Sequence, residues 1–152
     1  MTKKDLLTLN EIEVSYKPNF KLSERPRITQ AVDIVAMLRS IWNNDKLEYL
    51  EESYAIYVNM GNRVVGAMFL SRGGTTSCVI DPRILFGTAL KIGASGIIIA
   101  HNHPSGTLKP SINDIEITDK LKRGGDLLKI KLLDHIIITR EGYYSFMEEG
   151  AL

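Results

Sequence analysis

The chain has 152 residues, 44% of them hydrophobic, a size and composition that suit one compact core rather than several. Nineteen basic against eighteen acidic side chains leave a formal charge of +1, so no overall field selects nucleic acid or an anionic membrane surface, although a local basic patch stays open. The apolar runs GIIIA and HIIIT are strand-length, far below the ~20 residues that span a bilayer. The lysine-rich start MTKKDLLTLN is not followed by the apolar stretch of a secretion signal, so the expected location is cytoplasmic, with no membrane partner. The single cysteine, Cys78, has no second thiol with which to form a disulfide or a thiolate zinc site, and a bound metal would have to rest on histidine and carboxylate.

In chain order, NEIEVSYKP alternates, with Ile12, Val14 and Tyr16 on one face and Glu11, Glu13 and Ser15 on the other, the period of an edge or half-buried strand. KLSERPR is polar, carries Pro26 and reads as a linker, which sets residues 1–24 apart as an N-terminal strand and linker from a domain over 25–152. Ile28, Val32, Val35, Leu38 and Trp42 then recur at helical spacing, with Pro26 just ahead of a first turn. ESYAIYVNMGNRVVGAMFLSRGG predicts a hairpin, with a strand from Tyr54 to Val58, a turn through Asn59, Gly61 and Asn62, and a return strand ending at Gly73 and Gly74. TSCVI predicts a further short strand in which Cys78 is a small core residue. In DPRILFGTALKIGA, Asp81 can cap a helix, Pro82 suits its first position and Gly93 lies near its end.

GIIIA, residues 96–100, has the continuous apolar character of a central strand and runs directly into HNHPSGTLKPSIND. After that loop, SINDIEITDKLKRGGDLL predicts a helix that ends at Gly124 and Gly125, and KLLDHIIIT with YYSFM predicts a last strand pair around REGY. The order is that of an α+β fold, a mixed sheet containing a hairpin and flanked by about three helices.

Two histidines at i and i+2 on an extended segment point the same way, so His101 and His103 can share one ligand. An aspartate some ten residues later would complete three protein ligands and leave a fourth tetrahedral position for water, as in catalytic zinc sites. The intervening PSGTLKP, with two prolines and a glycine, suits a stiff turn that returns the chain to such a site. A second reading uses the same letters: Ser111, preceded by Pro110 and followed three residues later by Asp114, outlines a capping-box helix start with Asp in place of the usual Glu or Gln. The letters HNH also invite a nuclease reading, which the close spacing of the three residues argues against.

The pattern His-x-His, seven residues, Ser, two residues, Asp is satisfied by His101, His103, Ser111 and Asp114, and it resembles the JAMM motif of the JAB1/MPN metalloprotease-like domains. HNHPSG, KPSINDIEIT, LLDHIIIT and YYSF together resemble, more narrowly, the bacterial RadC family, over roughly residues 25–152. The resemblance implies a single JAB1/MPN-like (cytidine-deaminase-like) α+β domain. It implies zinc as the cofactor, His101, His103 and Asp114 as its ligands, and Ser111 as the hydroxyl that steadies an oxyanion. It also implies an upstream glutamate as general acid and base. Glu51 and Glu52 stand side by side; ungapped alignment back from NRVVG favours Glu51, and adjacent strand positions face opposite sides, so only one of them can face the metal. Both could equally be solvated charges beside Glu48.

His135 matches a family position and reads as a neutral, hydrogen-bonded core histidine rather than a ligand. Asp134 beside it is a candidate carboxylate partner for a ligand histidine. Ser105 and Gly106 are expected to shape the loop. The implied function is a JAMM-type zinc metallohydrolase that cleaves a peptide or isopeptide bond of a protein substrate, or a small-molecule amide, with a zinc-activated water. The alternative is a non-catalytic or weakly catalytic zinc-binding module of DNA repair, recombination or mobile-element biology. Longer RadC-like proteins resemble a fusion with an N-terminal helix-hairpin-helix module, the natural DNA-binding part. In its place this chain has about two dozen residues, whose strand could extend a sheet edge in its own chain or in a homodimer.

Overall fold

The computed structural model describes residues 17–19, 21–73 and 79–152. The expected strand around Ile12, Val14 and Tyr16 lies outside these residues, as do Gly74 and Cys78. Of the expected strand at 76–80, Val79 and Ile80 are described and neither is in a strand; Val79 is exposed and Ile80 is buried.

Among the described residues five strands, β1 (Glu52–Val58), β2 (Val64–Arg72), β3 (Gly96–Asn102), β4 (Lys131–Ile138) and β5 (Tyr143–Ser145), form one sheet in the order β2-β1-β3-β4-β5. Three α-helices among the described residues cover it: α1 (Ala31–Ile41), α2 (Pro82–Ile92) and α3 (Ile112–Leu128). The β3–β4 pair is parallel and the others are antiparallel, so the sheet is mixed and the fold is α+β. Parallel neighbours require a crossover, which α3 supplies.

Strands β1, β3 and β4 send residues into two separate cores, one on each face of the sheet. Ile56, Val58, Ile98, Ala100, Ile136 and Ile138 pack with Ile34, Val35 and Leu38 of α1. Ala55, Tyr57, Ile97, Ile99 and Leu132 pack with Leu85, Phe86 and Ala89 of α2 and Leu121 of α3. Gly96–Asn102 is buried along its whole length, which explains the uninterrupted apolar run in the sequence.

The helix expected from Ile28 begins at Ala31, with Asp33 accepting main-chain N–H groups from Thr29 and Gln30. Ile28 and Trp42 are buried at its two flanks, whereas Val32, expected on the core face, is exposed; the inward stripe is Ala31, Ile34, Val35 and Leu38. Helix α2 follows its signals closely. Asp81 accepts from Arg83 N, Pro82 opens the helix and Gly93 closes it in the left-handed region at φ 66°.

Helix α3 does not end at Gly124 and Gly125. It continues to Leu128 and is closed by Lys129 at φ 58°. The two glycines are sites of close approach. A Cβ on Gly125 would lie 2.3 Å from the main-chain oxygen of Ile130, where the chain folds back into β4, and one on Gly124 would meet the Phe86 ring at 3.1 Å. Gly125→Ala should therefore destabilise the fold by about 2 kcal/mol or more despite the better helix propensity of alanine. Gly124→Ala should stay within about 1 kcal/mol of wild type, because a ring edge can give way and the propensity gain offsets the crowding. The midpoints of urea unfolding test both; equal midpoints for the two variants would refute the close-approach account.

Candidate metal centre

Strand β3, central in the sheet, carries His101 near its carboxyl end, and His103 follows as the first residue beyond the strand. Their Nε2 atoms stand 2.9 Å apart, as the period-two reading required. The loop then turns: Gly106, at φ 82°, donates its N–H to the His103 carbonyl, and Ser105 Oγ accepts from Thr107 N. This return brings the start of α3 over the histidines.

Ser111 is the N-cap of α3. Its Oγ accepts from Asp114 N at 3.1 Å, and Asp114 Oδ2 accepts from Ser111 N at 2.7 Å, which closes the capping box. Asp114 Oδ1 lies 3.2 Å from His101 Nε2 and Oδ2 lies 3.3 Å from His103 Nε2. The capped helix and the three-residue cluster are thus one structure. His101, His103 and Asp114 each offer a ligand atom within 4.8 Å of the others and can hold a metal ion. Two nitrogens and one oxygen around tetrahedral zinc would be spaced by about 3.3 Å, given bonds near 2.0–2.1 Å, which is close to the separations here.

His103 Nδ1 lies 2.8 Å from the Thr107 carbonyl, which can only accept, so this nitrogen carries a hydrogen and Nε2 of the neutral ring is a lone pair facing the cluster. Burial opposes charge on His103, and its hydrogen bonds to Asp114 and Thr107 outweigh that, with the Glu51 charge adding to them. Its pKa is raised above the usual imidazole value. Burial would raise the Asp114 pKa, but the facing imidazoles of His101 and His103, in the forms that carry a proton on Nε2, and then the Ser111 N–H, favour the charged carboxylate and hold it well below its usual range. The cluster stays anionic at one corner and retains space for one proton or one cation.

Behind His101, its Nδ1 lies 2.8 Å from Nε2 of His135, whose Nδ1 lies 2.6 Å from Thr118 Oγ1. Thr118 donates to the Asp114 main-chain carbonyl at 2.5 Å. His135 is fully buried and stacked on Phe146 at 4.7 Å; burial, and then the nearby His101, push its pKa well below the ordinary value, so it is neutral. Asp134, expected to partner a ligand histidine, does not. Its carboxylate accepts from Ser145 Oγ, Met147 N and His135 N. The cause is an irregularity in β4: Leu132 pairs with Ile97 and Asp134 with Ile98, so Leu133 is skipped and the face parity inverts. His135, rather than Asp134, thereby joins the α3 side.

Glu52 is buried with its carboxylate on Arg72 Nε and Nη2 at 2.9 and 2.7 Å, beside Tyr54 on the α1 side. Glu51 lies just before β1. Extending the register in which Ser53 faces His101 sets Glu51 across from His103, on the α2 and α3 side. Sequence reasoning missed Asn102. It faces away from the histidines, is wholly buried, accepts from Glu52 N at 2.7 Å and donates to Leu47 O at 2.8 Å and Leu50 O at 2.7 Å. Gly73 N donates to the Glu51 carbonyl at 2.8 Å, which with the Asn102 bonds to Leu50 O and Glu52 N fixes the peptide groups on both sides of Glu51. The alternation rule that paired the histidines could have shown that Asn102 turns into the core, where a buried amide needs partners.

The fold and this cluster define an α+β domain with a His-His-Asp group able to hold a metal ion. A family model for the RadC-like JAB domain matches residues 28–151, and the chain belongs to that family. It is similar to UPF0758 proteins of Flavobacterium johnsoniae (46% identity over 100 residues, 66% of this chain and 44% of the relative) and of Thermotoga maritima (41% over 109 residues, 70% and 49%). The Chlorobium chlorochromatii UPF0758 protein is 32% identical over 140 residues, 92% of this chain and 62% of the relative. The chain thus spans between 44% and 62% of the length of these curated relatives. Among the described residues no helix is long and apolar enough to cross a membrane.

A proton on His103 and a metal ion compete for the same lone pair. Because the His103 pKa is raised, the competition begins at higher pH than for a free imidazole of pKa about 6.5. Zinc affinity should therefore be constant at alkaline pH and fall by about tenfold per pH unit once the pH drops below that pKa. Titration against a competing chelator between about pH 8.5 and pH 5.5 measures this, and a flat profile would refute it.

Proposed function

We propose that this chain is a zinc-dependent hydrolase of the JAMM type that cleaves a peptide or isopeptide bond, with His101, His103 and Asp114 as metal ligands. The observation that carries the reading is the convergence of the two histidine nitrogens on the Asp114 carboxylate of the α3 capping box, with Nδ1 of His103 occupied and its Nε2 turned inward. Zinc held there supplies a Lewis acid and brings the pKa of a water molecule to about 7.

The chain's own groups do the rest. Glu51, fixed through its flanking peptide groups across from His103, accepts a proton from the attacking water and returns one to the departing nitrogen. Glu52 is unsuited to that work, because its carboxylate is committed to Arg72 on the other face. Ser111 uses its oxygen to accept the Asp114 N–H, which leaves its hydroxyl hydrogen for the substrate oxygen as negative charge builds there. A depression of 360 Å³ opens beside His103, lined by Pro104, Ser105, Gly106, Thr139, Arg140, Glu48 and Glu141. Its polar walls suit a segment of peptide backbone better than an apolar ligand, which favours a protein or peptide substrate.

Elemental analysis of protein purified without added metal or chelator should find about one zinc per chain, lost in His103→Ala. Glu51→Gln should keep the zinc and lower the cleavage rate of an isopeptide-linked protein substrate by about 10²–10⁴. An unoccupied wild type that also fails to take up added zinc would end the proposal. Wild-type turnover by Glu51→Gln would end the assignment of Glu51.

A further inference from the structure

The two ring nitrogens of His101 have to be told apart, since only a ring with an unprotonated Nε2 can contribute to the cluster. Nothing in the His-x-His spacing does this. The hydrogen bonds behind the ring do, and they can be read in one direction from a single fixed point.

That point is the main-chain carbonyl of Asp114, which can only accept. Thr118 therefore spends its one hydroxyl hydrogen on it, at 2.5 Å, and toward His135 the Thr118 oxygen must accept. Nδ1 of His135 consequently bears a hydrogen. The ring is fully buried and stacked on Phe146, and among the described residues no carboxylate hydrogen-bonds to it, so a second hydrogen would be a buried cation with no anion bonded to it. Nε2 of His135 is then an acceptor at 2.8 Å from His101 Nδ1, so His101 carries its hydrogen on Nδ1. What remains is a bare His101 Nε2, 2.9 Å from His103 Nε2 and 3.2 Å from Asp114 Oδ1. The circuit leaves from the backbone of Asp114 and returns to its side chain.

We propose that Thr118 and His135 are positioning residues that hold His101 in the tautomer with Nε2 unprotonated, so that the seating of α3 on β4 sets the ligand state of β3. The proposal rests on the metal-site reading for its purpose, but the tautomer itself does not depend on metal. Without the Thr118 hydroxyl, His135 satisfies itself best by moving its hydrogen to Nε2. That turns His101 Nδ1 into the acceptor and places a hydrogen on His101 Nε2, where a metal would sit.

The test combines nitrogen-15 NMR of the histidine rings with zinc titration, on wild type, Thr118→Val and Thr118→Ser, each in the full chain. In zinc-free wild type above the histidine titration range, His101 and His135 should both show hydrogen on Nδ1. Thr118→Val should convert His101 to the Nε2–H form and weaken zinc binding by about 10–100-fold, as loss of a ligand's supporting partner does. Thr118→Ser, which keeps the hydroxyl, should restore both readouts; a loss due only to packing would leave the tautomer unmoved. Hydrogen on Nε2 of His101 in the wild type overturns the proposal by itself, even if the valine variant fails to fold. Wild-type zinc affinity in Thr118→Val overturns it equally. If wild type binds no zinc while His101 still bears its hydrogen on Nδ1, the metal reading falls and the tautomer assignment stands.

Discussion

Asp114 serves two masters, and the site depends on that sharing. One carboxylate oxygen closes the first turn of α3 by accepting the Ser111 N–H, while the pair of oxygens faces the two histidine Nε2 atoms at 3.2 and 3.3 Å. A helix N-terminus leaves main-chain N–H groups without partners and carries the positive end of the helix dipole, so a carboxylate there is both ordered and kept ionised. Those are also the requirements for a ligand oxygen. The cap is thus the means by which a helical side chain is held rigid against histidines borne on a strand.

Three consecutive residues divide the remaining labour through the two-residue period of an extended chain. His101 and His103 turn toward α3, and Asn102 turns toward α1. An amide buried without partners would cost about 1–3 kcal/mol, and Asn102 avoids that cost by binding three main-chain groups of the segment from Leu47 to Glu52. In doing so it connects the histidine strand to the stretch that presents Glu51. Loop residues outside a ladder are ordinarily the least certain in position; here the core-facing side chain of the histidine strand replaces the missing ladder bond.

The parts of this arrangement that follow local rules were legible in the sequence. Alternation gave the histidine pair, Ser111 and Asp114 gave the cap, and Asp81, Pro82 and Gly93 gave the limits of α2. The parts that failed depend on contacts between distant segments. Gly124 and Gly125 carry the letters of a helix stop, yet they exist for the passage of Ile130 and Phe86, which no local pattern announces. Asp134 was a candidate partner for a ligand histidine from its place beside His135, and the skipped Leu133 turns it to the other face and brings His135 to the α3 side. Thr118 lies one helical turn after Asp114, so its position was readable, but its partner belongs to a strand whose register was not.

The topology separates the His-His-Asp group from the residue proposed to move protons. His101, His103, Asp114, Thr118 and His135 all come from the single crossover β3–α3–β4, residues 96–138, with ligands where a strand's carboxyl end meets a helix start, a usual position for ligand sites in parallel connections. Glu51 comes from outside that unit, from the entry to the antiparallel neighbour β1, and its main chain is tied to β3 and β2 through the Asn102 and Gly73 contacts. A cluster built from one unit can hold a metal whenever that unit folds, whereas an acid or base from another strand requires the two to keep register. On the proposed reading, metal binding and turnover by this chain are therefore separable, and the segment that would join them is the one between Leu47 and Glu52, which supplies none of the three cluster residues.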